Sequence, residues 1–281
     1  MITKIKVGNL LIDNTVTSGY FVKELLTMGA GTKYSVAELL SRHGAKLGNA
    51  VYKNKSIAIT VLIVGDDADD MLDKRNVLLK ELQLNNYSDD DKIKVIFYMA
   101  NGGVISTYGI VKDINVDINN ETVGASQINF MIETEKPFFL SETIYQKTVI
   151  VTKGGGCAVP MTIPLDMSKG STGYTNLIGG GNAFTYPVFR FVGQLTNPVL
   201  THISSAKTMS LTATTIGAGT YIEFDTYNRT VLDNTGANKL DKMAGDFLVI
   251  QPDNNNFSLA TDNAGDTGYI LVTYQDAYAT I

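Results

Sequence analysis

The chain has no tryptophan, a single cysteine at Cys157, two histidines at His43 and His202, and only six prolines in 281 residues. One cysteine cannot close an intramolecular disulfide, so core packing must hold the fold, as in a reducing compartment. The histidines have no cysteine or carboxylate at ligand spacing beside them, which removes the usual zinc patterns. No run of about 18 apolar residues is present, so no membrane insertion is expected. The segment Met1–Asn9 lacks an apolar h-region and does not read as a secretory signal. A dominant charge is missing too: 23 basic and 28 acidic residues leave a net charge of −5. Without a long basic run, specific nucleic-acid binding is not expected, and a mildly acidic wall would repel passing DNA rather than grip it.

What is present is enough for a sizeable core. Hydrophobic residues make up 44% of the chain and charged residues 18%, and 26 glycines point to many turns. The length suits about two domains of ~100–200 residues each.

Period-two alternation dominates the first half. It runs through Ile57, Ile59, Val61 and Ile63, then Ile93, Val95, Phe97 and Met99, then Ile128, Phe130 and Ile132. Such alternation puts one face of a strand on a core. Tyr108, Ile110, Ile114, Val116 and Ile118 also fall on one face of a long strand, opposite Asp113, Asn115 and Asp117. Residues 119–124 then read as the turn of an antiparallel hairpin. A helix is expected over 66–84, where Met71, Leu72, Leu78, Leu79 and Leu82 form a stripe. Asp66, Asp67, Asp69 and Asp70 would lie at its positive end. A shorter helix is expected over Ser35–Leu40. Composition shifts after Lys136-Pro137, which sets expected domains of 1–137 and 138–281. Residues 153–181 are rich in Gly, Ser, Thr and Pro, yet Val159, Met161, Ile163 and Leu165 still alternate. Short strands are expected at 185–193, 199–204, 208–213, 219–225, 229–232, 246–250, 256–261 and 268–275, the spacing of a sandwich or jelly roll. The fold class is therefore mainly β: an N-terminal β-sandwich-like domain with one clear helix, then a C-terminal β-sandwich.

The candidate chemistry is thin. The acidic clusters 66–70 and 89–91 lack the spacing and central glycine of a calcium loop and read as a solvated helix start and a polar turn. No local nucleophile signature accompanies either histidine. Glu133 and Glu135 share a strand face but sit at its end, so no acid pair is evident and no enzyme is expected. The glycine triplets 154–156 and 179–181 precede no helix that could hold a phosphate and read as flexible turns. No metal or cofactor is expected. For carbohydrate, the missing tryptophan leaves tyrosines such as Tyr269, Tyr274 and Tyr278, for which packing is the simpler reading. The remaining signal is apolar residues on second strand faces: Ala58, Leu62 and Val64 on one strand, Ile96 and Tyr98 beside Lys92 and Lys94 on another. Such faces are either covered by the 66–84 helix or meet another subunit.

The order of features resembles a known family. Ser41-Arg42-His43-Gly44-Ala45 precedes the strand Ser56–Val64, Gly65, the acidic-start helix with Arg75 and Leu78-Leu79, and a strand pair. Tyr186-Pro187-Val188-Phe189, Gly193, Asn197-Pro198, the run Gly219–Asp225 into Thr230-Val231-Leu232, Asp246-Phe247-Leu248 and Gln251–Asn255 follow. Over nearly the whole chain this resembles the distal tail protein (Dit) family of siphophages that infect Gram-positive bacteria. The family often has Pro-Gly before the next-to-last strand; here Pro252-Asp253 stands there, a turn that Asp also tolerates.

The resemblance implies a galectin-like sandwich for 138–281 and a ring, usually a hexamer, built by the N-terminal domain. The ring would sit in the virion at the tail tip, after assembly in the host cytoplasm, between the tail tube protein and the tail-associated hub protein (Tal). DNA would pass through its channel, and the outer domain would dock baseplate or receptor-binding proteins. The segment 138–281 is too short to hold a further carbohydrate-binding module beside the sandwich. Leu62, Val64, Ile96 and Tyr98 are the expected ring contacts. The competing class is a host-adhesion protein that grips carbohydrate through the C-terminal sandwich.

Overall fold

The computed structural model describes residues 2–27, 32–33, 36–38, 45–47, 51–83, 92–117, 124–151 and 174–280. The chain forms two compact units, one of Met1–Glu142 with Tyr278–Ile281 and one of Thr143–Ala277.

Unit 1 contains β1 (Ile2–Val7), β2 (Leu10–Ile12), β3 (Tyr20–Thr27), β4 (Thr32–Lys33), β5 (Val36–Glu38), β6 (Ala45–Leu47), β7 (Val51–Tyr52) and β8 (Ser56–Val64). Helix α1 (Ala68–Glu81), β9 (Ile93–Met99), β10 (Val104–Asp117), β11 (Ala125–Thr134) and β12 (Phe139–Ser141) follow. Its main sheet runs β2-β1-β9-β10-β11-β8-β3, with β12 beside the start of β10. β2 returns alongside β3, so the sheet curls nearly closed around its own core. The alternating residues face inward: Ile57, Ile59, Val61 and Ile63 from β8, Ile93, Val95 and Phe97 from β9, and Ile128, Phe130 and Ile132 from β11 are all buried in one cluster.

Helix α1 begins where Gly65 lets β8 turn sharply; a side chain there would collide with the Met71 backbone. Asp67 is its N-cap and accepts a hydrogen bond from Asp70 N at 2.8 Å, a cap worth about 1 kcal/mol. Asp70 accepts from Asp66 N at 2.9 Å and pairs with Lys74 at 2.8 Å. The Lys74 hydrogen bond, then the Asp66 backbone, hold the Asp70 carboxyl below its usual value. Met71, Leu78 and Leu82 are buried in the same core as the sheet's inner face, each worth roughly 1.5–3 kcal/mol.

Two expectations for unit 1 are corrected. Val36–Glu38 is a strand paired with Ala45–Leu47, not part of a helix. A six-residue helix is marginal alone, and pairing supplies the backbone partners instead; Ser35, Leu39 and Leu40 lie outside the described residues. The long strand β10 also does not keep one face. Val111 pairs with Ile132 but Asp113 pairs with the very next residue, Met131, so a bulge at Lys112 inserts one residue. Side-chain parity flips there. Tyr108 and Ile110 point away from the core, 48% and 46% exposed. Beyond the bulge, Ile114 and Val116 stand opposite Phe130 and Ile128; Val116 packs against the core while Ile114 is 41% exposed.

Unit 2 is built from two five-stranded sheets. One runs Tyr145–Ile150, Tyr269–Tyr274, Val188–Val192, Tyr221–Asp225, Thr230–Asp233; the other runs Thr175–Gly179, Asp253–Ala260, Val199–His202, Lys207–Leu211, Met243–Gly245. Phe189, Phe191, Phe224 and Val272 from the first meet Leu200, Met209, Phe257 and Leu259 from the second in one core, the arrangement of a sandwich. The Phe189 and Phe257 rings approach to 5.8 Å across it.

Here too there are differences from expectation. Residues 246–250 are not a strand. Leu248 and Ile250 are buried, but among the described residues the segment's backbone pairs through Asp246 N to Thr208 O and a reciprocal pair between Thr185 and Ile250, without a continuous ladder. Burial alternates without a ladder, so periodicity alone suggested a strand. The triplet 179–181 is a tight crossing rather than a flexible turn. A side chain on Gly179 or Gly181 would strike the carbonyls of Gln251 or Ala277, and Gly180 N donates to Asp276 Oδ1 at 2.7 Å.

Candidate interaction surfaces

The expected contact residues all lie on the outer face of the unit 1 sheet. Ile96 stands opposite Lys6 and Ser106, and Tyr98 opposite Lys4 and Val104. Leu62 stands opposite Phe21 and Gln127, and Val64 opposite Ala125. Val64 is exposed; Leu62, Ile96 and Tyr98 are half-buried. Helix α1 buries its apolar stripe in the inner core, so it is not the cover for this face. β10 and β11 separate β9 from β8, and along β10 the two pairs stand level with Ser106 and Asp117, which at ~3.3 Å per residue places them on the order of 30 Å apart. They form two patches, not one.

Between these patches lies a groove of ≈ 550 Å³ that the sequence reading missed. Gly109, Ile110 and Val111 contribute to its lining, with Lys92, Glu133 and Glu135 among its charged residues. Its charges are paired: Lys92 with Glu135 at 3.4 Å and Lys112 with Glu133 at 2.9 Å. The Glu133 hydrogen bond and charge raise the Lys112 amine above its ordinary value. Lys94 pairs with Glu142 at 2.8 Å and sits 5.6 Å from the Tyr108 ring centre. Burial alone would lower the Lys94 amine, but the hydrogen bond and charge of Glu142 outweigh it and the net shift is upward. The bulge brings Tyr108 and Ile110 to this face. The one sequence signal for it is Lys112-Asp113, two polar residues in succession that break the alternation.

The remaining candidates are accounted for by packing. His202 is 1% exposed, stacked on Phe257 at 4.7 Å, with Nδ1 2.7 Å from Ser205 Oγ. Burial lowers its pKa against a smaller opposing effect of Asn255, so it is a neutral core histidine. Tyr274 is buried, stacks on Tyr145 and donates to Ile178 O at 3.1 Å; Tyr278 packs against the unit 1 core; Tyr269 is 39% exposed. Among the described residues no three His, Cys, Asp or Glu side chains group closely enough to hold a metal, and no helix is long and apolar enough to cross a membrane. His43, Asp89–Asp91, Cys157, Gly154–Gly156, the 119–123 turn and the 153–173 excursion lie outside the described residues.

No protein-family model and no curated protein sequence matches the chain. Solved structures do. The crystal structure of the Dit protein of phage SPP1, described as a paradigm of the hub adsorption apparatus of phages infecting Gram-positive bacteria, aligns with a TM-score of 0.64 at 11% identity, covering 98% of each chain. The chain has the Dit fold. Two structures of the phage P2 baseplate in its activated conformation, with Ca and with Sr, align at 9% identity with TM-scores of 0.44 and 0.43. They cover 97% and 96% of this chain, and 98% and 97% of theirs. The likeness to SPP1 Dit spans both units, so the mainly β architecture expected from alternation is that of a Dit protein from one end of the alignment to the other.

Proposed function

We propose that this chain is the distal tail protein of a siphophage, a structural component of the virion tail tip and not an enzyme. The observation that carries this reading is the end-to-end agreement with the SPP1 Dit fold, 98% of both chains at a TM-score of 0.64. Six copies close a ring between the tail tube protein and the tail-associated hub protein, and DNA passes through the channel without specific contacts. Unit 1 supplies the ring and unit 2 docks baseplate or receptor-binding proteins. Two features support the division of labour. The outer face of unit 1 carries apolar side chains that helix α1 does not cover. Its acidic groups Glu133, Glu135 and Glu142 are each paired with a lysine, an arrangement suited to holding a surface rather than to acid–base chemistry.

Light scattering on the purified protein, with electron microscopy, tests the proposal. Rings of about six copies are expected, and placing charge on the outer face by Leu62→Glu or Tyr98→Glu should leave monomers of unchanged fold. A protein that stays monomeric at high concentration, with no ring even when mixed with the adjoining tail proteins, overturns the reading.

A further inference from the structure

Unit 2 carries a cleft of ≈ 250 Å³ that the ring model does not use. Its lining combines the aromatic residues Phe184, Tyr186 and Phe247 with the polar residues Ser205, Lys207 and Gln251, beside His202, Leu248 and Val249. The aromatic residues are not core residues turned out by accident of a loose loop. Thr185, between Phe184 and Tyr186, is buried and exchanges both backbone hydrogen bonds with Ile250, at 2.9 and 3.0 Å, while its hydroxyl donates to Gln275 O at 2.9 Å. That anchor fixes the backbone and leaves Phe184 46% and Tyr186 42% exposed on either side of it. The Tyr186 ring is further held edge-on to Tyr227 at 5.6 Å and 77°.

Among the polar residues, the Gln251 backbone and Ser205 are held in place. Gln251 N donates to the buried Asn255 Oδ1 at 2.8 Å, and Asn255 Nδ2 donates back to Gln251 O at 2.9 Å. Ser205 is held by the His202 ring, whose stack on Phe257 locks it in turn. Lys207 is loosely paired with Asp246 at 3.8 Å and more than half exposed.

We propose that this cleft is a saccharide subsite that takes a single pyranose ring. The volume lies below the ~300–1,000 Å³ of drug-sized pockets, so it suits one ring rather than an oligomer or a helix. A pyranose has an apolar C–H face and a rim of hydroxyls that both donate and accept. Both are matched by a lining that combines three aromatic residues with a hydroxyl, an amide and an ammonium group. An apolar side-chain anchor from a partner protein would make no use of the polar residues Ser205, Lys207 and Gln251 that line the cleft. The site stands on its own geometry and does not rest on the tail-tip reading.

The test uses the full-length protein and methyl glycosides of glucose, galactose and N-acetylglucosamine, followed by NMR shifts of the tyrosine rings. At least one glycoside should bind with a Kd on the order of 1 mM, as fits so small a ligand. Tyr186→Ala should weaken it about tenfold or more, as should Phe184→Ala, while Tyr269→Ala on the sheet outside the cleft should leave it unchanged. Both cleft residues are partly exposed, and an unchanged urea midpoint verifies that the variants fold. No shift with any glycoside overturns the proposal. So does binding that survives both cleft substitutions, or loss of a baseplate partner by Tyr186→Ala without any sugar binding. Ring formation by light scattering is a separate readout, so failure here leaves the ring reading untouched and the reverse holds too.

Discussion

In unit 1 charged side chains stand on the outer face of long strands and pair with one another, as Lys92 with Glu135, Lys94 with Glu142 and Lys112 with Glu133 do. In unit 2 Arg190 and Glu223 pair across strands, but more of the acids and amides fold back onto the backbone of turns, as Asp67 and Asp70 do at the helix start of unit 1. Asp233 accepts from Thr235 N, the Thr235 hydroxyl and Ala237 N, which holds its carboxyl down to about 2, the Thr235 hydroxyl foremost. Asp225 caps Tyr227 N and Asn228 N. Asp266 accepts from Thr196 N at 2.6 Å across 70 residues of sequence. Asn255, fully buried, serves four backbone groups of Leu177, Gln251 and Asp253. The difference follows from strand length. Long strands satisfy their own backbone, so their polar side chains are left for the surface. Short strands joined by many turns leave backbone groups that side chains must satisfy.

The comparison can be broken by experiment. Phe97→Ala, which empties a fully buried site in unit 1, should cost ~3–5 kcal/mol in urea unfolding, with faster amide exchange in unit 1. Asn255→Ala should cost ~2–4 kcal/mol by stranding the backbone groups it serves, with the exchange increase confined to unit 2. A loss under about 1 kcal/mol would mean that turn stapling is ornamental there.

Lys55 sharpens the contrast, because it is the buried lysine of unit 1 that behaves like the staples of unit 2. It is 2% exposed, donates to Ala279 O and lies 4.4 Å from the Phe139 ring centre. Burial lowers its pKa from 10.5 to about 8. The folded chain therefore holds this proton less tightly than the unfolded chain, so Lys55 opposes folding most at low pH. Its contribution to stability should rise as pH climbs from about 8 to 10.5. Urea midpoints across that range should carry this upward component in the native protein and lose it in Lys55→Met; equal pH slopes in the two proteins would refute the burial argument. The smallest effect is expected from Lys112→Ala, whose exposed pair with Glu133 is screened by solvent, so the urea midpoint should stay nearly unchanged.

The same contrast explains what the sequence disclosed. Ile57, Ile59, Val61 and Ile63 were legible as a buried face because β8 itself carries no extra residue: its ladder with β11 is unbroken, and the bulge in its ladder with β3 falls on Lys23 of β3. Helix α1 was legible from its stripe, although its ends at Ala68 and Glu81 fall inside the expected 66–84. Tyr108 and Ile110 were misassigned because a bulge is a backbone event that shifts parity without needing a glycine or proline. In unit 2 most short strands lie close to the expected ranges, but the segment 246–250 shows that buried alternation does not guarantee a ladder. The aromatic cleft was beyond reach. Phe184 and Tyr186 meet Gln251 through contacts between segments more than 60 residues apart, which no local pattern encodes.

The return of Tyr278–Ile281 to unit 1 has a mechanical consequence. Unit 2 leaves the first unit after Glu142 and rejoins it at Tyr278, so two covalent tethers connect the units. A pull on unit 2 is shared between them. One tether is secured by β12, paired to the start of β10; the other is secured by Tyr278 in the unit 1 core and the Lys55 bond to Ala279. A protease cut before Tyr278 would leave unit 2 covalently joined through Glu142, whereas a cut after Glu142 would leave it held only by the non-covalent packing of residues 278–281.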